Sequence, residues 1–212
     1  MATIHRQQRT FMKPPTIFSA DFSLLPVAPA TIAPTLVVVD GGVENLSHLL
    51  NGLIEDIEVL ILDQKRDGIE QITEAMHQYW DIAHLHIIAH GTPGCLYLGN
   101  TQLSLSTIDA YDLQLMSWFF ATSHHAVPCS ISLYSCNVAT GKVGAALLHR
   151  LHALTGVTIA ASSQPIGAGF FGNNWELDIR VGDVPNSAIP PCPFHPETLA
   201  SYPGNLQQSR IG

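Results

Sequence analysis

Short apolar runs alternate along this chain with longer stretches in which apolar residues recur every three or four positions. Leu36 to Asp40, Val59 to Asp63, His84 to Ala89, Ser130 to Tyr134 and Val157 to Ala161 have the length and β-branched content of strands, and Trp175 to Val181 predicts a sixth at an edge. The Gly41-Gly42 turn is followed by an amphipathic stretch through Leu53. Ile69, Ile72, Met76 and Tyr79 share one helical face, as do Ile108, Tyr111, Leu115 and Trp118. A further helix is lined by Val143, Leu147, Leu151 and Leu154 and capped at its carboxyl end by Gly156. Cys95 to Leu103 predicts a small hairpin with Gly99-Asn100 at its tip.

Strands that alternate with helices need right-handed crossovers, which predict an α/β fold with a mainly parallel, six-stranded sheet covered on both faces. Three segments follow: an irregular, Pro-rich arm over residues 1–34, an α/β domain over 35–184, and a Pro-rich tail over 185–212. In that tail Pro196 to Tyr202 predicts a short helix, with Leu199 and Tyr202 packing it back onto the domain.

Composition narrows the function. Charged residues make up only 12% of the chain against 46% apolar, which predicts a compact body with a partner or extended contacts. The net charge of -8 comes with no Lys/Arg cluster, so neither nucleic acid nor an anionic membrane surface is an expected partner. No run reaches the roughly 20 apolar residues of a membrane span, so direct membrane insertion is not expected either. Cys95, Cys129, Cys136 and Cys192 are scattered without C-x-x-C spacing. Unpaired thiols and no recognisable signal peptide favour a cytoplasmic location.

The candidate chemistry sits at strand ends, because ligands in open α/β sheets collect beyond the carboxyl ends of the strands. Those ends offer Asp40, Asp63, His90, Cys136 and the Ser162-Ser163 pair. An imidazole that accepts or holds the thiol proton makes a cysteine a nucleophile at neutral pH. His90 is the candidate base and Cys136 the candidate nucleophile. The backbone N–H groups of Gly91 and Cys136 are candidates to hold the oxyanion of an acyl-transfer intermediate. Asp40 and Ser162 are candidates to bind substrate. This chemistry needs neither an organic cofactor nor a metal.

Plainer readings stand beside these. A cysteine ending an apolar strand is often a small buried hydrophobe, and a lone histidine is often structural. His84 and His86 share a strand face, but no carboxylate stands between His86 and His90 to complete a metal site. Asp63 reads as a turn residue, Gly41-Gly42 lacks the spacing of a phosphate loop, and Trp175 and Tyr97 read as packing.

The order strand–His90-Gly91, then strand–Cys136, resembles the caspase-like (clan CD) cysteine peptidases, in which the histidine lies about 50 residues before the nucleophile. The chain is also similar to a bacterial domain of unknown function that opens giant, repeat-rich adhesin-like proteins. That likeness runs from Leu36 to about Leu206, through Asp67-Gly-Ile-Glu-Gln-Ile, His90-Gly91, Leu98-Gly-Asn, Leu133-Tyr-Ser-Cys-Asn-Val-Ala, Gly172 to Leu177 and Leu199-Ala-Ser-Tyr-Pro-Gly.

The resemblance implies a three-layer caspase-like sandwich, a His90–Cys136 dyad, a protein or peptide substrate and export of the larger relatives. This sequence has Ala89 where Ser usually precedes the histidine and Ser135 where Gly usually precedes the cysteine. Caspase specificity for aspartate is not implied, since the residues flanking Cys136 differ. In the caspase-like fold the loop after the first strand lines the pocket for the residue before the cleaved bond, so Asp40 there implies a preference for Lys or Arg. The competing expectation is a catalytically silent module that docks into a larger protein assembly through its amino- and carboxyl-terminal segments.

Overall fold

The computed structural model describes residues 3–5, 34–55, 57–79, 81–120, 128–168, 174–182 and 189–207. Most of the arm read as irregular lies outside these. Within it, Thr3–His5 (β1) forms a three-residue strand, too short to leave a pattern in the sequence.

The chain then alternates as predicted: strand Thr35–Asp40 (β2), helix Leu46–Asn51 (α1), strand Glu58–Leu62 (β3), helix Gly68–Gln78 (α2) and strand His84–Ile88 (β4). A small antiparallel sheet follows, made of Gly91–Thr92 (β5), Cys95–Leu98 (β6) and Thr101–Ser104 (β7). A 3₁₀ turn, Ile108–Tyr111, runs into helix Asp112–Ser117 (α3), where the sequence predicted one continuous helix. Strand Ser130–Tyr134 (β8), helix Gly141–Thr155 (α4) and strand Thr158–Ala161 (β9) complete the parallel part. Strand Ile179–Val181 (β10) and helix Pro196–Ser201 (α5) close the described chain. Of the strand predicted over Trp175 to Val181, only β10 pairs, antiparallel to β9.

The main sheet has seven strands in the order β1-β3-β2-β4-β8-β9-β10. The five inner strands are parallel, and the two edges are antiparallel. The protein is therefore an α/β three-layer sandwich. Strand order reverses between β2 and β4, the switch point at which crossovers leave to opposite faces and open a crevice.

Alternate residues of the strands feed two separate cores. Leu36 and Val38 of β2, Leu85 and Ile87 of β4 and Ile131 and Leu133 of β8 face α2, α3, α4 and the β6–β7 hairpin. Val37, Val39, Ile88 and Tyr134 face the other way, toward α1, Phe194, Tyr202 and Leu206. On the first side, Asp67 caps α2 by accepting from the N–H groups of Ile69 and Glu70 at 2.8 and 3.1 Å. Gly156 ends α4 in the left-handed conformation, as expected.

The buried stripe of α4 is rotated from the predicted one. Gly144, Leu147, Leu148 and Leu151 point inward, while Val143 is 52% exposed. Gly144 has no room for a side chain, since a Cβ there would run into the backbone of Val138 and Ala139. Among the described residues, no helix is long and apolar enough to cross a membrane.

Candidate active site

β4 and β8 are neighbours in register, with Ile88 opposite Tyr134. The pairing runs on one step further, where the Ala89 N–H donates to the Tyr134 carbonyl at 3.2 Å. His90 and Cys136, each two positions beyond that pair, therefore leave the sheet side by side. Asn137 follows the cysteine with φ 59, a left-handed turn that asparagine tolerates better than most residues. This turn takes the chain sharply off the sheet edge.

Each residue is held by its own scaffold. The His90 carbonyl accepts from Tyr97 N–H at 3.1 Å, so the small hairpin fixes the loop. The imidazole Nε2 lies 3.1 Å from the Gly42 carbonyl. A carbonyl only accepts, so Nε2 carries a proton. Nδ1 is buried and has no hydrogen-bond partner. The imidazole is thus held through Nε2, with Nδ1 turned inward.

Cys136 is fully buried. Its Sγ accepts from the Ile166 N–H at 3.0 Å and lies 3.4 Å from the Ile166 carbonyl. Burial pushes the thiol pKa up, and the backbone N–H groups of Ile166 and Leu206 pull it partly back. In this arrangement the thiol proton belongs to Ile166 and not to His90. The loop after β9 is stitched to the cysteine loop. Asn137 N–H donates to the Gln164 carbonyl and Ala139 N–H to the Ser162 carbonyl, both at 3.0 Å.

Gly91 touches the cysteine segment directly. A Cβ at this position would meet Ser135 Oγ and would lie 2.9 Å from the Cys136 carbonyl oxygen. Only glycine lets this backbone lie so close to the Ser135–Cys136 segment. The N–H is occupied: it donates to the carbonyl of Leu206 at 3.0 Å. Ser135 itself, the residue where glycine is usual, packs against Gly91 and leaves its buried Oγ without a partner.

The two residues predicted to bind substrate, Asp40 and Ser162, are both buried and hydrogen-bonded within the domain. Alternation along β2 turns Asp40 to the first face, away from Cys136. Its carboxylate is 3% exposed and accepts from Gly42 N–H at 2.9 Å, Gln64 Nε2 at 2.8 Å and Gly99 N–H at 2.7 Å. It holds the Gly41-Gly42 turn, whose carbonyl in turn holds His90. Ser162 is fully buried, with its hydroxyl donating to the Gln164 carbonyl at 3.1 Å and accepting the Gln164 N–H at 3.0 Å, a local turn clamp.

Gly42 as the orienting group for His90 escaped the sequence reading, which saw only a turn. Its signal is the Asp-Gly-Gly order: a side chain on Gly42 would crowd Gln64 and Asp40 at 2.9 and 3.0 Å.

The remaining histidines near the strands are core residues. His84 Nδ1 pairs with Ser130 Oγ at 3.0 Å, and His86 stacks on Tyr134 with centroids 5.9 Å apart. Burial drives the His86 pKa down to about 3, so it is neutral at working pH. Among the described residues no three His, Cys, Asp or Glu side chains converge on a metal position. Trp175 packs between Phe194 and Tyr202, at 5.8 and 5.4 Å. His124 and His125 lie outside the described residues.

A family model described as Domain of unknown function (DUF4347) matches residues 36–206. The chain belongs to this family. The match takes in both strand ends of the site and the segment that carries Leu206. A search of curated proteins found no match.

Proposed function

We propose that this domain is a caspase-like cysteine endopeptidase or self-processing protease. Cys136 is the nucleophile, His90 the general base, and Gly91 N–H an oxyanion donor. The observation that carries this reading is the state of His90. Its Nε2–H is tied to the Gly42 carbonyl, which leaves a buried, unpartnered Nδ1 at the strand end beside a cysteine. The core residue His86 also leaves a buried Nδ1 unpartnered, so what sets His90 apart is its place at the strand end, level with Cys136 on the neighbouring strand.

The order of the parallel strands supports the same reading, because it brings the His and Cys loops to adjacent positions at the crevice. The separation of the thiol from Nδ1 is compatible with it, since catalytic hydrogen bonds often tighten only when the reacting groups engage. In giant adhesin-like relatives, such a domain would process the polypeptide that carries it.

One observation favours a second reading, a silent interaction module: the thiol is fully buried and bonded to Ile166, with its pKa raised. The two separate in one experiment. Purified protein is mixed with a diverse peptide library under reducing conditions, with and without calcium, and products are read by mass spectrometry. New cuts that vanish in both Cys136→Ala and His90→Ala are the expected result. No cuts from a well-folded protein would transfer the assignment to the interaction module.

A further inference from the structure

After α5 the chain does not leave the domain. Tyr202 is buried, donating its hydroxyl to the Glu44 carbonyl at 2.7 Å. From there the backbone runs extended across the crevice, burying Tyr202, Gly204 and Leu206 and exposing Pro203, Asn205 and Gln207. That period of two is a strand's, although the sequence Tyr-Pro-Gly-Asn reads as a turn.

The strand is bound on both sides through its backbone. Leu206 N–H donates to the Ile166 carbonyl at 3.0 Å, and the Gly204 carbonyl accepts from Ala168 N–H at 2.6 Å. Gly167 pairs antiparallel with Asn205 between them. A Cβ on Gly167 would sit 2.7 Å from the Gly204 oxygen, so this wall, like Gly91 opposite, must be glycine for a peptide to lie against it. On the other side the Leu206 carbonyl oxygen points to Gly91 N–H at 3.0 Å. Gly91 N–H thus holds this carbonyl at ordinary hydrogen-bond length in the ground state.

A peptide strand lying in the crevice with one carbonyl on the oxyanion donor beside the thiol is the pose of a substrate. We propose that residues Tyr202–Gln207 are the protease's own substrate segment, with Leu206–Gln207 the bond that Cys136 cuts. The proposal rests on the cysteine-protease reading above and adds to it the substrate and the specificity.

The chemistry balances with water as the co-reactant. Nδ1 of His90 takes the thiol proton, and Sγ adds to the Leu206 carbonyl carbon while Gly91 N–H holds the oxyanion. The carbon–nitrogen bond to Gln207 breaks as His90 returns the proton to the leaving amine. A thioester between Cys136 and Leu206 remains. Water, deprotonated by His90, hydrolyses it to the Leu206 carboxylate and the free thiol.

The pose also sets specificity. Leu206 is fully buried in the second core with Ile166, Phe194 and Tyr202, and Gly204 lies flat on Gly167. The site thus selects an apolar, leucine-like residue before the cut and glycine two positions earlier, in place of Lys or Arg.

The test is intact mass spectrometry of the purified full chain over time. Wild type is expected to lose residues 207–212, while Cys136→Ala and His90→Ala stay whole. Leu206→Met should still be cut, and Leu206→Arg roughly tenfold or more slowly. Wild type that stays whole, a cut at another bond, or the same loss in Cys136→Ala would overturn the proposal. Equal rates for Met and Arg at 206 would overturn the specificity. Library peptides cut in trans while the chain's own Leu206–Gln207 bond survives would sink this proposal and leave the protease reading standing. Silence in both assays would remove both.

Discussion

The first face of the sheet is closed by α2, α3, α4 and a hairpin. The second is closed by two six-residue helices, α1 and α5, and an extended strand. On the first, side chains do the holding: Ile69, Ile72, Leu115, Leu147 and Leu151 are all buried, and Arg150 ties α4 to Asp109 and Asp112 at 2.9 and 3.1 Å. On the second, the core is smaller and contains His86, Cys136, Cys192 and Tyr134, and much of the holding is backbone to backbone. A layer of interlocked helices opens only as a unit, whereas a single strand can leave and return by breaking a few exchangeable hydrogen bonds. The contrast shows where this domain is held by interlocked side chains and where it is held by exchangeable backbone hydrogen bonds.

Acid should break the two faces unequally. His86 on the second face refuses a proton until about pH 3 when folded, while the unfolded chain accepts one near 6.5. The unfolded state therefore binds more protons in that window, and stability falls as pH drops from 6.5 towards 3, by roughly 5 kcal/mol in full. Denaturant melts at stepped pH should give this acid slope, and His86→Phe, which keeps the stack on Tyr134, should flatten it. The burial-lowered pKa of His84 acts in the same direction and would leave a smaller residual slope. An unchanged slope in His86→Phe would deny the second face its special sensitivity.

The first face should answer to volume instead. Leu147→Ala removes a fully buried side chain from the helix layer and should cost about 2–5 kcal/mol at any pH between 5 and 8. Urea unfolding at two pH values checks both the size and the flatness. A loss well below 1 kcal/mol would mean that the helix layer is no better packed than the strand-closed side.

Asp40 links the faces, so its replacement should have the smallest effect on stability and a specific one on turnover. Asp40→Ala leaves the N–H groups of Gly42 and Gly99 without their acceptor, a cost of about 1–3 kcal/mol. Because Gly42 orients His90, kcat on a cleaved library peptide should fall while KM stays near its wild-type value. A rise in KM alone would return Asp40 to substrate recognition.

How much of this was legible in the sequence differs between the same regions. All six predicted strands of the domain and the helices of the first face could be read, because burial on one side imposes a period of two or about four. The stripe of α4 differs from the predicted one because Gly144, which carries no hydrophobic signal, is buried against Val138 and Ala139. His90, Gly91 and Cys136 were legible as abrupt endings of apolar runs. The strand over Tyr202–Gln207 was not, because its partners are glycine backbones and backbone hydrogen bonds leave no trace in side-chain pattern. The structural partners of Asp40 were not legible, since its donors Gln64 and Gly99 come from loops that no local rule brings together.

Gly91 and Leu206 lie more than half the chain apart, so the hydrogen bond between them is among the last that a chain emerging amino end first can make. Histidine and cysteine are both synthesised well before the strand that will lie across them. The order of assembly therefore turns a spatial arrangement into a sequence of events: His90 and Cys136 are set first and the peptide that lies across them arrives last. If that peptide is the one cut, the break after Leu206 comes only when everything ahead of it has folded. Scission would then serve as a timestamp of completed folding, written by the domain on whatever chain it is part of.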